Sequence, residues 1–276
     1  MGWTGHLQLH YTRDGERTVA LDRHEGPLRV LQRLYPEGPA VCHHVLVHPP
    51  GGVVGGDVLR LDARLEPGTH ALITTPGATR FYRSAGEPAL QSCDCRVEAG
   101  ARLEWLPLEA IAYSGCEAEN RMRFDLAPGG EMMGWDVLAL GLPATGAAFA
   151  HGRFRQHLEL PGRWLERATI AAADAALLDS PLGLAGRRVM ATLWFAAGEP
   201  LAAARRDALL DAARQVCEGH AAACPAGASA PQPEVVVLRV LAGRVEPALN
   251  LLTAVWAAWR GAAWQMPAPL PRIWRT

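Results

Sequence analysis

The densest run of chemistry-bearing side chains is Cys42, His43, His44 and His48, followed by Pro49-Pro50-Gly51-Gly52-Val53-Val54-Gly55-Gly56-Asp57. Imidazole, thiolate and carboxylate together suit a borderline transition metal. Their spacing resists a closed metal site. On a strand over Val41 to Val47, Cys42 and His44 share one face while His43 takes the other, so one ion cannot collect all three without distortion. The glycines at 51, 52, 55 and 56 allow close approach of a backbone or an anion. A phosphate cradle is disfavoured, because the string has no G-K-[ST] end and no G-x-G-x-x-G, and it runs into a strand. A rigid turn between strands remains, or a binding loop that exposes His48 or Asp57.

Other candidate groups are sparser. Cys93 and Cys95 share a strand face with Val97, which favours ordinary burial. Cys217, His220 and Cys224 straddle a helix end and a loop, a loose spacing for zinc. Ser114-Gly115-Cys116 could hold a reactive thiol, yet no histidine adjoins it and no G-x-S-x-G elbow occurs. Glu104, Glu109, Glu117, Glu119, Asp125 and Asp136 are scattered over central strands and read mainly as solvated positions. Thr74-Thr75-Pro76-Gly77-Ala78-Thr79-Arg80-Phe81-Tyr82-Arg83-Ser84 sets two arginines and an aromatic pair after a Pro-Gly turn, which suits an interface or a surface turn. No catalytic set emerges.

The elements that must position these residues are mostly strands. Leu59, Leu61, Ala63 and Leu65 alternate with Arg60, Asp62 and Arg64, and a turn at Gly68 leads into a second apolar strand. The same unit recurs around Gly100, Gly129 and Gly162, at spacings of 32, 29 and 33 residues. A strand–turn–strand period near thirty indicates stacked layers, hence a mainly β, β-helix-like fold. Val189 to Phe195 and Val235 to Leu241 add strands. Two amphipathic helices fall in the last third, one ending near Gly219 and one starting near Glu246-Pro247. Residues 224–233 read as a mobile Pro/Ala/Gly/Ser loop and 266–276 as an irregular tail within a single domain, 1–276.

Composition narrows the chemistry. Among 276 residues there are 27 basic side chains, every one an arginine, and the net charge is -1. The absence of lysine excludes a Schiff-base lysine and a phosphate-loop lysine. Near-zero net charge argues against nucleic acid as a partner. No segment resembles a signal peptide or a membrane span, so a cytoplasmic protein with reduced thiols is expected. Trp256, Trp259 and Trp264, among nine tryptophans, suggest apolar surface kept for a partner.

His48 to Asp57 and Thr74 to Ser84 resemble signature strings of the urease accessory protein UreD family, called UreH in some bacteria. Gly26-Pro27-Leu28-Arg29-Val30, Tyr35-Pro36-Glu37-Gly38, Leu103-Glu104-Trp105-Leu106-Pro107, Gly134-Trp135-Asp136 and Pro271-Arg272-Ile273-Trp274 resemble the family in the same order. The resemblance implies layered sheets in a right-handed helical arrangement with two helices, and a non-enzymatic role. It implies partners UreF, the GTPase UreG and apo-urease, and help in delivering nickel through an internal tunnel. No tightly bound cofactor is implied, only transient nickel, for which His44, His48, Asp57, Glu109, Cys116 and Asp136 are the candidate ligands. Arg80 stands where the family string usually has lysine, which keeps a cationic role there. The 224–233 segment looks particular to this chain and dispensable. Two competing functions are a metal-dependent hydrolase using His43, His44 or His48, and a purely structural adaptor.

Overall fold

The computed structural model describes residues 2–220 and 224–275. The chain order is β1 (Thr4–Asp14), β2 (Arg17–Glu25), β3 (Arg29–Leu34), β4 (Val41–Val47), β5 (Val58–Leu65), β6 (His70–Thr74), β7 (Thr79–Phe81), β8 (Ala89–Val97) and β9 (Arg102–Leu106). Then come β10 (Ala110–Ala112), β11 (Cys116–Leu126), β12 (Glu131–Leu140), β13 (Gly152–Leu160), β14 (Trp164–Ala171) and a short helix α1 (Ala175–Asp179). The remainder is β15 (Val189–Ala197), α2 (Ala203–Glu218), β16 (Ala226–Gln232), β17 (Val235–Ala242) and α3 (Val245–Trp259).

The middle of the chain climbs as stacked coils between two sheets. Each coil lays one strand in the first sheet, turns at a glycine and lays the next strand in the second: β5 to β6, β8 to β9, β11 to β12. Successive coils therefore pair in parallel, β5–β8–β11–β13 in one sheet and β4–β6–β9–β12 in the other. The turns need positive φ, which Gly68, Gly100 and Gly129 supply at 72°, 69° and 79°. The turns also stack, with the Gly100 amide donating to the Gly129 carbonyl at 2.9 Å. Gly162 departs from the repeat. It joins β13 to β14 as an antiparallel hairpin inside the first sheet, so the fourth unit closes an edge and adds no coil.

Strand patterning follows from what covers each sheet. In the first sheet β5 alternates buried and exposed positions, because its outer face meets water. That face carries charges paired along and across strands, including Arg153–Glu117 at 2.6 Å and Arg123–Asp94 at 3.3 Å. The central strands of the second sheet are covered on both faces, so β6 and β12 are almost continuously buried. One core lies between the sheets, and a second lies between the second sheet and α2 with α3.

Three expectations change. Residues 224–233 are not a mobile loop: β16 pairs antiparallel with β17, with an irregularity between Ser229 and Gln232. Its Ala/Gly/Ser/Pro composition signals a loop, but an edge strand tolerates Pro231 at such an irregularity. Trp256, Trp259 and Trp264 are not partner-facing. They are buried against the second sheet, their period-3.6 stripe being the core face of α3 and the turn after it. In the tail, residues 266–271 are irregular and Arg272–Arg275 form one 3₁₀ turn, while Thr276 lies outside the described residues. No helix among the described residues is long and apolar enough to cross a membrane.

Close packing makes Gly134 on β12 a sensitive position. A Cβ there would lie 2.4 Å from the buried Trp194 ring of the neighbouring strand. Gly134→Ala is expected to lower stability by about 1–3 kcal/mol through overpacking. Urea unfolding should show a lower midpoint with an unchanged slope; an unaltered midpoint would refute the packing argument.

Candidate functional site

The two signature strings lie on successive coils, and this is why they meet. The first connects β4 to β5, and the second connects β6 through β7 to β8. Both cross from the second sheet to the first at the end opposite the stacked glycine turns. Val53 donates to the Arg80 carbonyl at 2.7 Å, and Tyr82 donates back to the Val53 carbonyl at 2.9 Å. A third connection stacks beneath them through the parallel pairing of β7 with β10. Gly52 permits the contact, since a Cβ there would lie 2.2 Å from the Tyr82 ring.

Between the loops and the ends of the sheets is a cleft of about 280 Å³. His48, Gly51, Gly52, Thr75, Pro76, Gly77, Thr79 and Arg80 form its rim, and Leu59, Leu61, Cys93 and Trp105 line it from the strands. Arg80 supplies the only charged side chain of the lining. Burial lowers the pKa of His48 while Asp57 opposes that shift, so the imidazole is held towards its neutral form. Pro49 and Pro50 occupy a turn closed by the Gly51 amide on the His48 carbonyl at 2.9 Å.

Asp57 is not an exposed loop ligand. It is buried, and its two carboxylate oxygens accept from the Trp3 amide at 2.7 Å and the Val54 amide at 2.9 Å. It thereby pins the glycine-rich string, whose residues Gly55 and Gly56 pack against the Ser84–Glu87 region. Tyr82 lies against Tyr113 with ring centroids 4.9 Å apart, and Arg83 packs against Gly115.

The remaining candidates go elsewhere. His44 points between the sheets, where its Nδ1 shares a 2.7 Å hydrogen bond with the Tyr11 hydroxyl and its Nε2 has no partner. Burial drives its pKa down to about 4, so it is neutral. His43 faces the opposite way and donates to Glu37 at 2.8 Å. Cys116 is buried and its thiol is pushed up to about 12 by burial, the opposite of an activated nucleophile. Glu109 lines a separate cleft of about 590 Å³ with Trp135, Leu249 and Trp274. Among the described residues, no three His, Cys, Asp or Glu side chains are placed to hold one ion.

Asp136 brings a carboxylate into the interior between the sheets. It projects from β12 between the sheets and accepts from Asn120 of β11 at 3.3 Å and from Gln156 of β13. Burial raises its pKa to about 7, with the charge of Glu166 adding to the shift. Glu166 on β14 pairs with Arg239 of β17 at 2.6 Å, while its second oxygen has no partner. Arg239 also reaches Thr192 at 3.5 Å. A polar seam thus runs from the partly exposed Glu166–Arg239 pair to the buried Asp136.

Sequence reasoning missed a second buried assembly. Arg260 lies in a π-helical turn, Arg260–Trp264, that continues α3. Its guanidinium donates to Glu37 at 2.7 Å and to Glu104 at 2.9 Å, and it also bonds the Pro267 carbonyl. Glu104 further accepts from His70 at 2.7 Å and from the Trp256 indole at 2.6 Å. Burial alone would raise both carboxylates; the hydrogen bonds from His70 and His43 and the charge of Arg260 hold them below their ordinary values. Glu37 and Glu104 both sit in strings that resemble the family, the one signal that could have flagged them.

Stacked β-coils, a loop-rimmed cleft at one end, helices covering one sheet and an internal carboxylate seam define a β-solenoid-like protein built from a repeating β layer. The chain belongs to the UreD urease accessory protein family, whose model matches residues 4–275. It is 64% identical over 278 residues to the urease accessory protein UreD of Leptothrix cholodnii, covering 100% of both chains. It is 62% identical over 274 residues to that of Polaromonas naphthalenivorans, covering 99% of both. With the UreD of Variovorax paradoxus it shares 58% over 276 residues and the full length of both.

Proposed function

We propose that this chain is a non-catalytic scaffold for urease maturation in the cytoplasm, and that it passes nickel towards apo-urease while bound to UreF and UreG. The polar seam carries this reading. A carboxylate between two apolar sheet faces is costly to bury, and here it is approached by two amide donors and by a second carboxylate with a free oxygen. Carboxylate oxygens with no imidazole or thiolate beside them hold a borderline cation weakly, as a relay requires. A cation arriving at Asp136 would displace the proton that burial favours there, so loading and release are coupled to protons. Among the initial candidates, Asp136 fits this role directly. His48 faces the cleft, whereas Asp57 and Cys116 are structural.

Co-expression with the urease subunits and the other accessory proteins tests the proposal. Deleting this chain should leave urease poor in nickel and inactive. The Asp136→Ala/Glu166→Ala double variant should accumulate as soluble protein yet lower nickel content and activity together. Full nickel loading without the chain would overturn the maturation role. Full loading with the double variant would make the chain an adaptor that never handles the metal.

A further inference from the structure

Cys93 and Cys95 are two positions apart on β8, so their Cα atoms are separated by about 6.6 Å at ordinary strand rise. Side chains standing straight off the sheet would keep that spacing. Their sulfurs are instead 3.4 Å apart, which requires the two side chains to lean towards each other. Leu61 and Ala63 flank the pair from β5, and Met122 and Phe124 flank it from β11. Cys95 is fully buried, whereas Cys93 lines the cleft that the two signature loops enclose and on whose rim His48 stands. The two thiols therefore form a converged pair with an opening, unlike the isolated buried thiols Cys42 and Cys116.

We infer that Cys93 and Cys95 form a chelating dithiol for a thiophilic divalent cation that enters through the cleft. At a metal–sulfur distance of about 2.3 Å, sulfurs at this separation subtend about 95° at the ion, between a square-planar and a tetrahedral angle. Charge favours a divalent ion, since two thiolates and one such ion make a neutral unit in an apolar wall. Each sulfur that ligates loses its proton to solvent, so one ion releases two protons. Burial raises the Cys93 thiol pKa well above its ordinary value, with the Cys95 neighbour adding to the effect. Binding here exchanges thiol protons for the ion, which selects ions of strong sulfur affinity. His48 stands on the rim of the same cleft, apart from the pair. The site stands whether or not the chain delivers nickel.

Titration of the purified, fully reduced chain with cadmium(II), and separately with nickel(II), tests this under anaerobic conditions. One equivalent of each ion should bind, with a sulfur-to-metal charge-transfer band for both and release of two protons per ion in weak buffer. Cys93→Ser and Cys95→Ser should each abolish the band, and Cys217→Ser should leave it intact. Cys93→Ala and Cys95→Ala, checked for an unchanged unfolding midpoint, separate loss of ligand from loss of fold. No binding by the unmodified chain would overturn the inference. So would a band that survives in the double Cys93→Ala/Cys95→Ala variant, or one that depends on Cys217.

Discussion

Arg260→Leu is expected to destabilise the chain by about 3–5 kcal/mol, a large part of the 5–15 kcal/mol typical of a domain. Arg260 and Glu104 are both fully buried, and Glu37 is nearly so. Removing the arginine leaves the Glu37 and Glu104 carboxylates without their shared guanidinium, with hydrogen bonds from His43, His70 and Trp256 remaining. The cost comes from stranded charge and not from lost contact area. This can be checked by adding Glu104→Gln to the Arg260→Leu background, which should recover part of the loss because one uncompensated charge disappears. Urea unfolding of the two variants against the parent chain reads both effects. If Arg260→Leu unfolds at the parent midpoint, the assembly is not holding α3 to the sheet.

The second large effect concerns pH. The pKa of Asp136 in the folded chain is about 7, against 3.8 for an ordinary aspartate. Between those values the folded state keeps a proton that the unfolded state has released. The contribution of this group to stability is therefore full below about pH 4, falls as pH rises towards 7 and stays low above it. Three pKa units correspond to about 4 kcal/mol. Glu166 is the acidic group acting on it, and Arg239, paired with Glu166, is the base alongside. Asp136→Asn is uncharged at every pH, so it should remove the slope and exceed the parent in stability at pH 8 while matching it near pH 4. Denaturant unfolding at several pH values decides the matter. Parallel pH profiles for the two chains would mean that Asp136 is already ionised when folded.

Much of the architecture is written in alternation. Leu59 to Leu65 reads as a half-buried strand because one face of the first sheet meets water, and the thirty-residue glycine spacing is the rise of one coil. Gly162 carries the same local pattern as Gly68, yet it closes a hairpin; only the absence of a further coil tells them apart, and that is a tertiary fact. The 224–233 segment misleads for the opposite reason. Its side chains favour no strand, and the exposed edge of β17 imposes one. At the site, the signature strings are visible as words, but their meeting in one cleft depends on their being a single coil apart. Asp57 and Cys116 belong to types that bind metals, and only burial and hydrogen bonding reveal them as structural groups. Arg260 gives no local sign, because its partners Glu37 and Glu104 are brought to it entirely by the fold.

That distance along the chain has a consequence for how the protein is made. Arg260 meets Glu37 across 223 residues, and Trp274 meets Thr74 across 200. At roughly 5–20 residues per second, Glu37 leaves the ribosome about 10 to 45 seconds before its arginine. Throughout that interval the second sheet lacks the helices that cover it, and its interior acids have no guanidinium. Until α3 and Arg260 emerge, the outer face of the second sheet stays uncovered, and a truncation before Arg260 removes the guanidinium as surely as one in the middle of the chain.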